Sequence, residues 1–382
     1  MFTLYQFELQ KIIKRKLVWI TGSILLVGLL IWGIGSALLP TNREYSEHSL
    51  NGLEANRAEK KAANQIAGRK LDQILIDEMR SQYEEFIFYG DYKKALPYLD
   101  IYNFIGDILR TRASLTILEA DSDIVYARLQ EQLKENRMSD ALQPDFTEKP
   151  ILYKGYFDGW NKLARMMKII ACMEIMFIAI CLSTVFPVEH TRKTDQLILC
   201  SRFGKKKLYV AKILAGLTVG VGFAFLLSLL VFGLIAWLYG YDGFDTIIQF
   251  VLMRPFTLTI GQAAFILFGL SFIAAVFVSV FTMVLSELTK NSIATIGSIA
   301  GIMIVTMFVV EMPSNFPMLS ELWCLLPSNL VSLEGAFRYS GLLVHGNALA
   351  MYEYAPIVYI IVTGIVLLIG KISYHRYQIE GR

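Results

Sequence analysis

The sequence predicts an all-α polytopic membrane protein: six transmembrane helices with a mostly helical extracellular domain between helices 1 and 2. Three observations predict it. The 382-residue chain is 55% hydrophobic with a mean hydropathy of +0.48, an apolar excess over ordinary soluble domains. Six apolar runs are long enough to cross hydrocarbon roughly 30 Å thick at about 1.5 Å per residue. One long polar stretch, 40–165, separates the first run from the rest.

Residues 1–16 read as a cytoplasmic interfacial helix. Phe2, Tyr5, Leu9, Ile12 and Ile13 share a helical face, while Glu8, Gln10 and the basic residues Lys11, Lys14, Arg15 and Lys16 face elsewhere. The bare flank of a signal anchor is the alternative reading of the same pattern. The first span is 17–39, and its length exceeds a secretory h-region, so an uncleaved anchor is expected.

The stretch 40–165 reads as a helical extracellular domain. Between Ser46 and Tyr89, the residues Ile66, Leu71, Ile74, Leu75, Met79, Tyr83 and Phe86 follow helical spacing, and Gly90-Asp91 ends the run. Leu96-Pro97 starts a second helix, because Pro suits a first turn. Asp121 to Arg137 makes a third, and Pro144 and Pro150 punctuate the return to the membrane. Tyr83, Phe86, Phe88, Tyr89, Tyr92, Tyr98, Tyr102 and Phe104 form an aromatic cluster. It serves either as the domain's own core or as a platform for an amphipathic peptide or lipid-like ligand.

The second span is 166–187 and carries Glu174. An intramembrane carboxylate is a functional candidate; the alternative is that it snorkels or bonds a neighbouring helix. The third, fourth and fifth spans are 213–239, 257–285 and 293–310. Gly216 and Gly220, and Gly297 and Gly301, have the spacing that permits close helix contact. Glu287 and Lys290, at the inner end of the fourth span, read as wet. Residues 311–354 are too short and too broken by Pro to span; they read as an extracellular or re-entrant segment with short helices joined at Pro327-Ser328-Asn329. The sixth span is 355–372, followed by a cytoplasmic tail, 373–382.

Lys and Arg set the orientation. With the N-terminus inside, the short inner segments hold fifteen and the short outer loops two, Arg254 and Arg338. Both termini are therefore expected in the cytoplasm, in a multi-pass protein of the plasma membrane. The net charge of +3 indicates no nucleic-acid partner. The four cysteines, Cys172, Cys181, Cys200 and Cys324, make no metal-ligand pattern. Neither a phosphate-binding Gly-x-x-x-x-Gly-Lys-[Ser/Thr] nor His-Glu-x-x-His nor Gly-x-Ser-x-Gly occurs. No catalytic, cofactor-binding or metal-binding residue is assigned. The spans lack the chain of ionisable residues that proton-coupled carriers use.

The densest functional signal is the loop 188–212, where Glu189 to Lys212 holds seven of the 36 Lys and Arg residues. A short amphipathic helix offers Leu197, Ile198 and Leu199, Gly204 allows a turn, and Lys205, Lys206 and Lys207 follow. Such a helix lies along the lipid surface or docks in a groove of a soluble partner. Ordinary basic dressing of an inner loop is the alternative.

The order of residues in this loop resembles the first cytoplasmic loop of ABC-2 type exporter permeases. Ser201-Arg202-Phe203-Gly204-Lys205-Lys206-Lys207 is similar to the family's Ser-Thr-[Lys/Arg]-Tyr-Gly-Arg-Lys-Lys, with one Ser after Cys200 and Phe203 in place of Tyr. Glu189 and Thr194 match its Glu-x-x-x-x-Thr opening, and Phe7-Glu8-Leu9-Gln10-Lys11 resembles its N-terminal start. The resemblance implies a permease subunit that moves an amphipathic substrate, such as a peptide antibiotic, drug or lipid-like molecule. It implies a separate ABC ATPase, carrying ATP and Mg, touched by this loop, and a second permease subunit, identical or related. A reading from a different class also fits the residues: a membrane-anchored sensor whose extracellular domain binds a ligand.

Overall fold

The structure, a computed structural model, describes residues 1–39, 51–89, 92–112, 127, 152–191, 207–252, 256, 258–309, 317–344 and 347–376. Helix α1 (Phe2–Ile13) precedes α2 (Lys16–Leu38). The polar segment contributes α3 (Gly52–Ala63), α4 (Gln73–Tyr89) and α5 (Leu99–Arg112). Then come α6 (Asp158–Leu182), α7 (Pro187–Thr191), α8 (Lys207–Tyr239), α9 (Ile260–Thr289) and α10 (Ser292–Phe308). Three short helices follow, α11 (Pro317–Cys324), α12 (Pro327–Leu330) and α13 (Leu333–Ala336). A hairpin, β1 (Tyr339–Val344) and β2 (Asn347–Ala350), leads into α14 (Met351–Arg376).

Among the described residues, five helices are long and apolar enough to cross a membrane: α2, α6 continued through α7, α8, α9 and α14. This agrees with a helical polytopic membrane protein. The fifth expected span corresponds to α10, which has 17 residues and is apolar but shorter than the other five. At about 1.5 Å per residue it rises about 25 Å, at the lower limit of a spanning helix.

Helices α6 and α9 form the centre. Helix α6 packs against α9, α8, α10 and α2, and α9 packs against α14, α6 and α8. Lipid gives no hydrophobic drive for helices to associate, so close approach depends on small residues and on satisfied polar groups. Both appear here. Gly216 of α8 lies against Met283, and Gly220 lies against Ser279, with Ile178 of α6 at 3.5 Å from where a Cβ would stand. Phe177 of α6 stacks on Phe223 of α8 at 3.6 Å between centroids. Gly297 and Gly301 have no neighbour within 4 Å of a built Cβ among the described residues, so the same spacing makes no close crossing there.

The segment before α6 docks at the end of the bundle where α6 begins and α8 ends. Asn51 and Glu54 form a reciprocal cap at the start of α3, and Lys60 of α3 pairs with Asp242 in the α8–α9 connection. Phe250 of that connection is the hub: Phe104 lies at 5.1 Å, Phe157 at 5.6 Å and Tyr153 at 6.1 Å. Within the segment, Tyr83 stacks on Tyr102 at 4.0 Å, and Tyr83 and Phe104 are buried. Phe88, Tyr89 and Tyr92 have side chains outside the described residues, and of the helix expected at 121–137 the residues other than Ala127 lie outside them.

Two expectations change. The helical run expected over 46–89 is two helices, broken between Ala63 and Gln73 where Gly68 takes φ +84. Ile74 consequently points out, 64% exposed, while Leu75 and Met79 are buried. The all-α class is interrupted by one small antiparallel hairpin in 339–350, paired Tyr339 with Ala350 and Val344 with Asn347. Only Tyr339 and Val344 there are strong strand formers, so local propensity did not announce the pairing. In the segment after α10, expected as extracellular or re-entrant, Met318 and Leu322 of α11 are exposed, whereas Ser328, Asn329, Leu330 and Val331 are buried, with α12 packed against α6, α9 and α10. Its polar groups are covered by protein, as apolar surroundings require. The Asn329 side chain donates to the Trp323 carbonyl at 3.0 Å, and Tyr359 of α14 donates to the Leu325 carbonyl at 2.6 Å.

Replacing Gly220 with Leu should lower stability in detergent by about 1–3 kcal/mol, because the side chain meets Ser279 and Ile178. Gly222→Leu, which meets nothing within 4 Å, should change it by no more than about 0.5 kcal/mol. Thermal unfolding of the two purified variants checks the difference.

Asp100 of α5 accepts a hydrogen bond from Tyr153 Oη at 2.8 Å. Burial, reinforced by Asp158 and Glu59 nearby, pushes its carboxyl up to about 7 against the Tyr153 bond. The folded state therefore holds this proton more tightly than the unfolded chain. Its contribution is full at acid pH below about 4 and is lost as pH rises toward 7. The wild-type melting temperature should fall between pH 5 and pH 8, and Asp100→Asn should flatten that fall.

Candidate functional site

At the other end of the bundle, α6 terminates and the loop at 188–212 departs. Helix α6 stops at Leu182, and Pro187 opens the five-residue helix α7, where a missing N–H costs nothing. Thr191 Oγ1 holds the far end by donating to the Pro187 carbonyl at 3.0 Å. This puts Glu189 and His190 of α7 against three other helices.

Glu189 is 6% exposed. Its Oε2 lies 2.5 Å from Nζ of Lys212 in α8, whose side chain is fully buried. Its Oε1 lies 3.1 Å from Nζ of Lys11 in α1. Lys11 in turn lies 3.6 Å from Oε1 of the buried Glu8. Two carboxylates and two ammonium groups thus meet, with Glu8, Glu189 and Lys212 buried and Lys11 partly exposed. A buried ion is tolerated only with a partner and with its remaining hydrogen-bonding capacity used. Lys212 meets that condition: besides Glu189, Nζ donates to the Val185 carbonyl at 3.4 Å and stands 4.8 Å above the Phe186 ring.

The cluster is bound to its surroundings on every side. His190 Nε2 lies 3.8 Å from Oε2 of Glu287, near the end of α9. Arg15, between α1 and α2, donates to Thr184 Oγ1 in the turn after α6. Tyr5 of α1 and Thr218 of α8 share a hydrogen bond of 2.9 Å. Phe186, Tyr209 of α8 and Tyr374 of α14 form an aromatic group with centroids 5.6–6.0 Å apart. Tyr209 also donates to the Leu367 carbonyl of α14 at 3.1 Å. The short helix α7 is therefore tied to α1, α8 and α9, with α14 joined through the rings.

Of the loop residues expected to carry function, Glu189 is described and central. Thr194, Leu197, Ile198, Leu199, Ser201, Arg202, Gly204, Lys205 and Lys206 lie outside the described residues. Glu174 sits elsewhere in α6. It is 2% exposed and accepts a hydrogen bond from Ser271 Oγ of α9 at 2.6 Å, so it bonds across helices and does not snorkel.

Two expectations are corrected here. Glu287 is 1% exposed and not wet, although Lys290 is exposed. Helix α1 is rotated relative to its expected apolar face. Phe2 and Ile13 point out, and Glu8 points in, because Glu8 and Lys11 follow the ion cluster inward. Sequence reasoning missed Glu8, Lys11, Lys212, His190 and Glu287 as members of one cluster. Lys212 carried a usable signal: it lies just inside an apolar run, between Val210-Ala211 and Ile213-Leu214.

Among the described residues, no group of three or more His, Cys, Asp or Glu side chains is placed to hold a metal ion. A family model described as ABC-2 family transporter protein matches residues 2–321. No curated protein matches the chain.

Removing one partner of the buried pair should cost more than removing both. Glu189→Leu alone leaves Lys212 buried and uncompensated, a loss of about 3–5 kcal/mol. The double variant Glu189→Leu, Lys212→Met should regain most of it. Lys11→Met should cost less than either single change, because Lys11 is partly exposed. A double-mutant cycle on unfolding in detergent measures the coupling.

Proposed function

This chain belongs to the ABC-2 family of transporter proteins, and from that premise we propose that it is the permease subunit of an ATP-binding cassette exporter. As a family member it is a multi-pass membrane component of a transporter, and the family normally works with an ABC ATPase. The finer reading is ours. Two such subunits, identical or paired with a relative, enclose a path for an amphipathic substrate. ATP and Mg bind on the separate ATPase chain. Six spans cross the plasma membrane, with α10 as the fifth, and both termini lie in the cytoplasm. The segment 40–165 is then extracellular.

One observation carries the proposal: the carboxylate of Glu189 joins Lys11 of α1 to Lys212 of α8 at the root of the basic loop. A loop that receives force from an ATPase must be anchored to the helices it moves. This one leaves α7 at Thr191 and re-enters at Lys207, and both roots are held by buried contacts. Leu197, Ile198 and Leu199 supply the apolar face that docks in the ATPase groove. Arg202, Lys205 and Lys206 supply the cationic rim, with Gly204 as the turn and Ser201 beside it. Glu189 and Thr194 frame the start of the loop.

The test is co-purification from the native membrane with ATPase assay. Leu197→Ala with Leu199→Ala removes apolar burial worth about 1.5–3 kcal/mol per residue. It should strip the ATPase from the complex or abolish substrate-stimulated hydrolysis, with the permease still folded. Lys205→Glu with Lys206→Glu should act more mildly and most at low salt, because rim charges govern encounter more than affinity. An ATPase still bound and still stimulated after the Leu changes would refute the loop as the contact.

A further inference from the structure

Helices α6, α9, α10 and the short α12 do not close completely on one another. They leave a cavity of about 140 Å³ lined by Ile175, Phe277, Phe281, Ile299, Met303 and Leu326, among others. The polar side chain on its wall is Ser328. That hydroxyl lies 2.8 Å from Thr306 Oγ1, and Thr306 itself donates to the Met303 carbonyl at 2.7 Å. The Ser328 proton is therefore committed to Thr306. An internal water needs two to four polar partners, and this wall does not offer them. The cavity is dry.

A dry apolar void forfeits dispersion contacts over its whole lining, and a hydrocarbon guest restores them. An apolar cavity of about 150 Å³ is large enough for a benzene ring, so this one suits the last few carbons of an alkyl chain. Its position supplies such chains. Ile175, Phe277, Phe281, Ile299 and Met303 belong to the apolar stretches of α6, α9 and α10. Ile302 lines the cavity and is also 49% exposed, so it stands at the boundary between the void and the outside. In a multi-pass membrane protein, the medium on that side is hydrocarbon.

We propose that this cavity is a binding site for the end of an alkyl chain, which enters past Ile302. The inference rests on the protein's lying in a membrane and is independent of the coupling reading. The chain comes either from a bilayer phospholipid or from the tail of a free single-chain amphiphile.

The full chain, reconstituted in phosphatidylcholine vesicles with a photoactivatable diazirine near the end of one acyl chain, tests it. After illumination and digestion, mass spectrometry should find adducts on Phe277, Ile299 or Met303 as well as on the lipid-exposed Ile360 and Leu368 of α14. Ile299→Trp should lower the Met303 adduct about tenfold by filling the space, with Ile360 labelling unchanged. Val278→Phe fills it from another helix and serves where Ile299→Trp does not assemble. Unlabelled alkylphosphocholine that suppresses the Met303 adduct, and not the Ile360 adduct, identifies free amphiphile tails as guests. No suppression identifies bilayer tails. Labelling of Ile360 without any of the cavity residues, or cavity adducts that survive both filling changes, overturns the proposal.

Discussion

A buried cation needs a buried anion, and much of one end of this molecule follows from that constraint. Lys212 is enclosed where α8 enters the apolar layer, and Glu189 is the carboxylate that compensates it at 2.5 Å. To bring Glu189 there, α6 must stop at Leu182, turn, and restart at Pro187. To fill the second oxygen of Glu189, α1 must lie against α8 with Lys11 and Glu8 turned inward. Phe186 beneath Lys212 then brings Tyr209 and Tyr374 together, which ties in α14.

The middle of the bundle obeys a different rule. Apolar residues gain nothing there by leaving lipid, so helices meet where small residues let backbones approach and where polar groups find partners. Gly216 and Gly220 meet α9, and Glu174 of α6 accepts from Ser271 of α9. The peripheral helices α2 and α14 instead present Ile and Leu outward, for example Ile24 and Ile360. The resulting body has a close-packed centre and, at the end that carries the Glu189 cluster, a loop whose two roots stand on α7 and α8. Under the proposed coupling role, displacement of the loop would be passed to the helices that hold its roots.

The opposite end is held by aromatic packing around Phe250 and by the Lys60–Asp242 pair. The segment before α6 is thereby seated on the connection between α8 and α9. The part-buried Asp100–Tyr153 hydrogen bond lies in that segment, where burial raises the Asp100 carboxyl.

The sequence by itself determined the membrane class, the apolar runs that became α2, α6, α8, α9, α10 and α14, and the basic loop with its family resemblance. Hydropathy and charge density are properties of contiguous residues, and a helix in lipid must satisfy its own backbone, so length and composition suffice. Glu189 was legible for the same reason, as one position in a local motif. Only the tertiary structure decided that Lys11, 178 positions earlier in the chain, shares its carboxylate. It also decided that Glu8 and Glu287 are buried, that one Gly pair packs and the other does not, and that residues 339–350 form a hairpin. Each of these depends on which side of an element meets which neighbour. Periodicity gives the apolar face of a helix, but in a chain where most faces are apolar, polar pairing and residue size choose the rotation, and those choices are made between residues far apart in the chain.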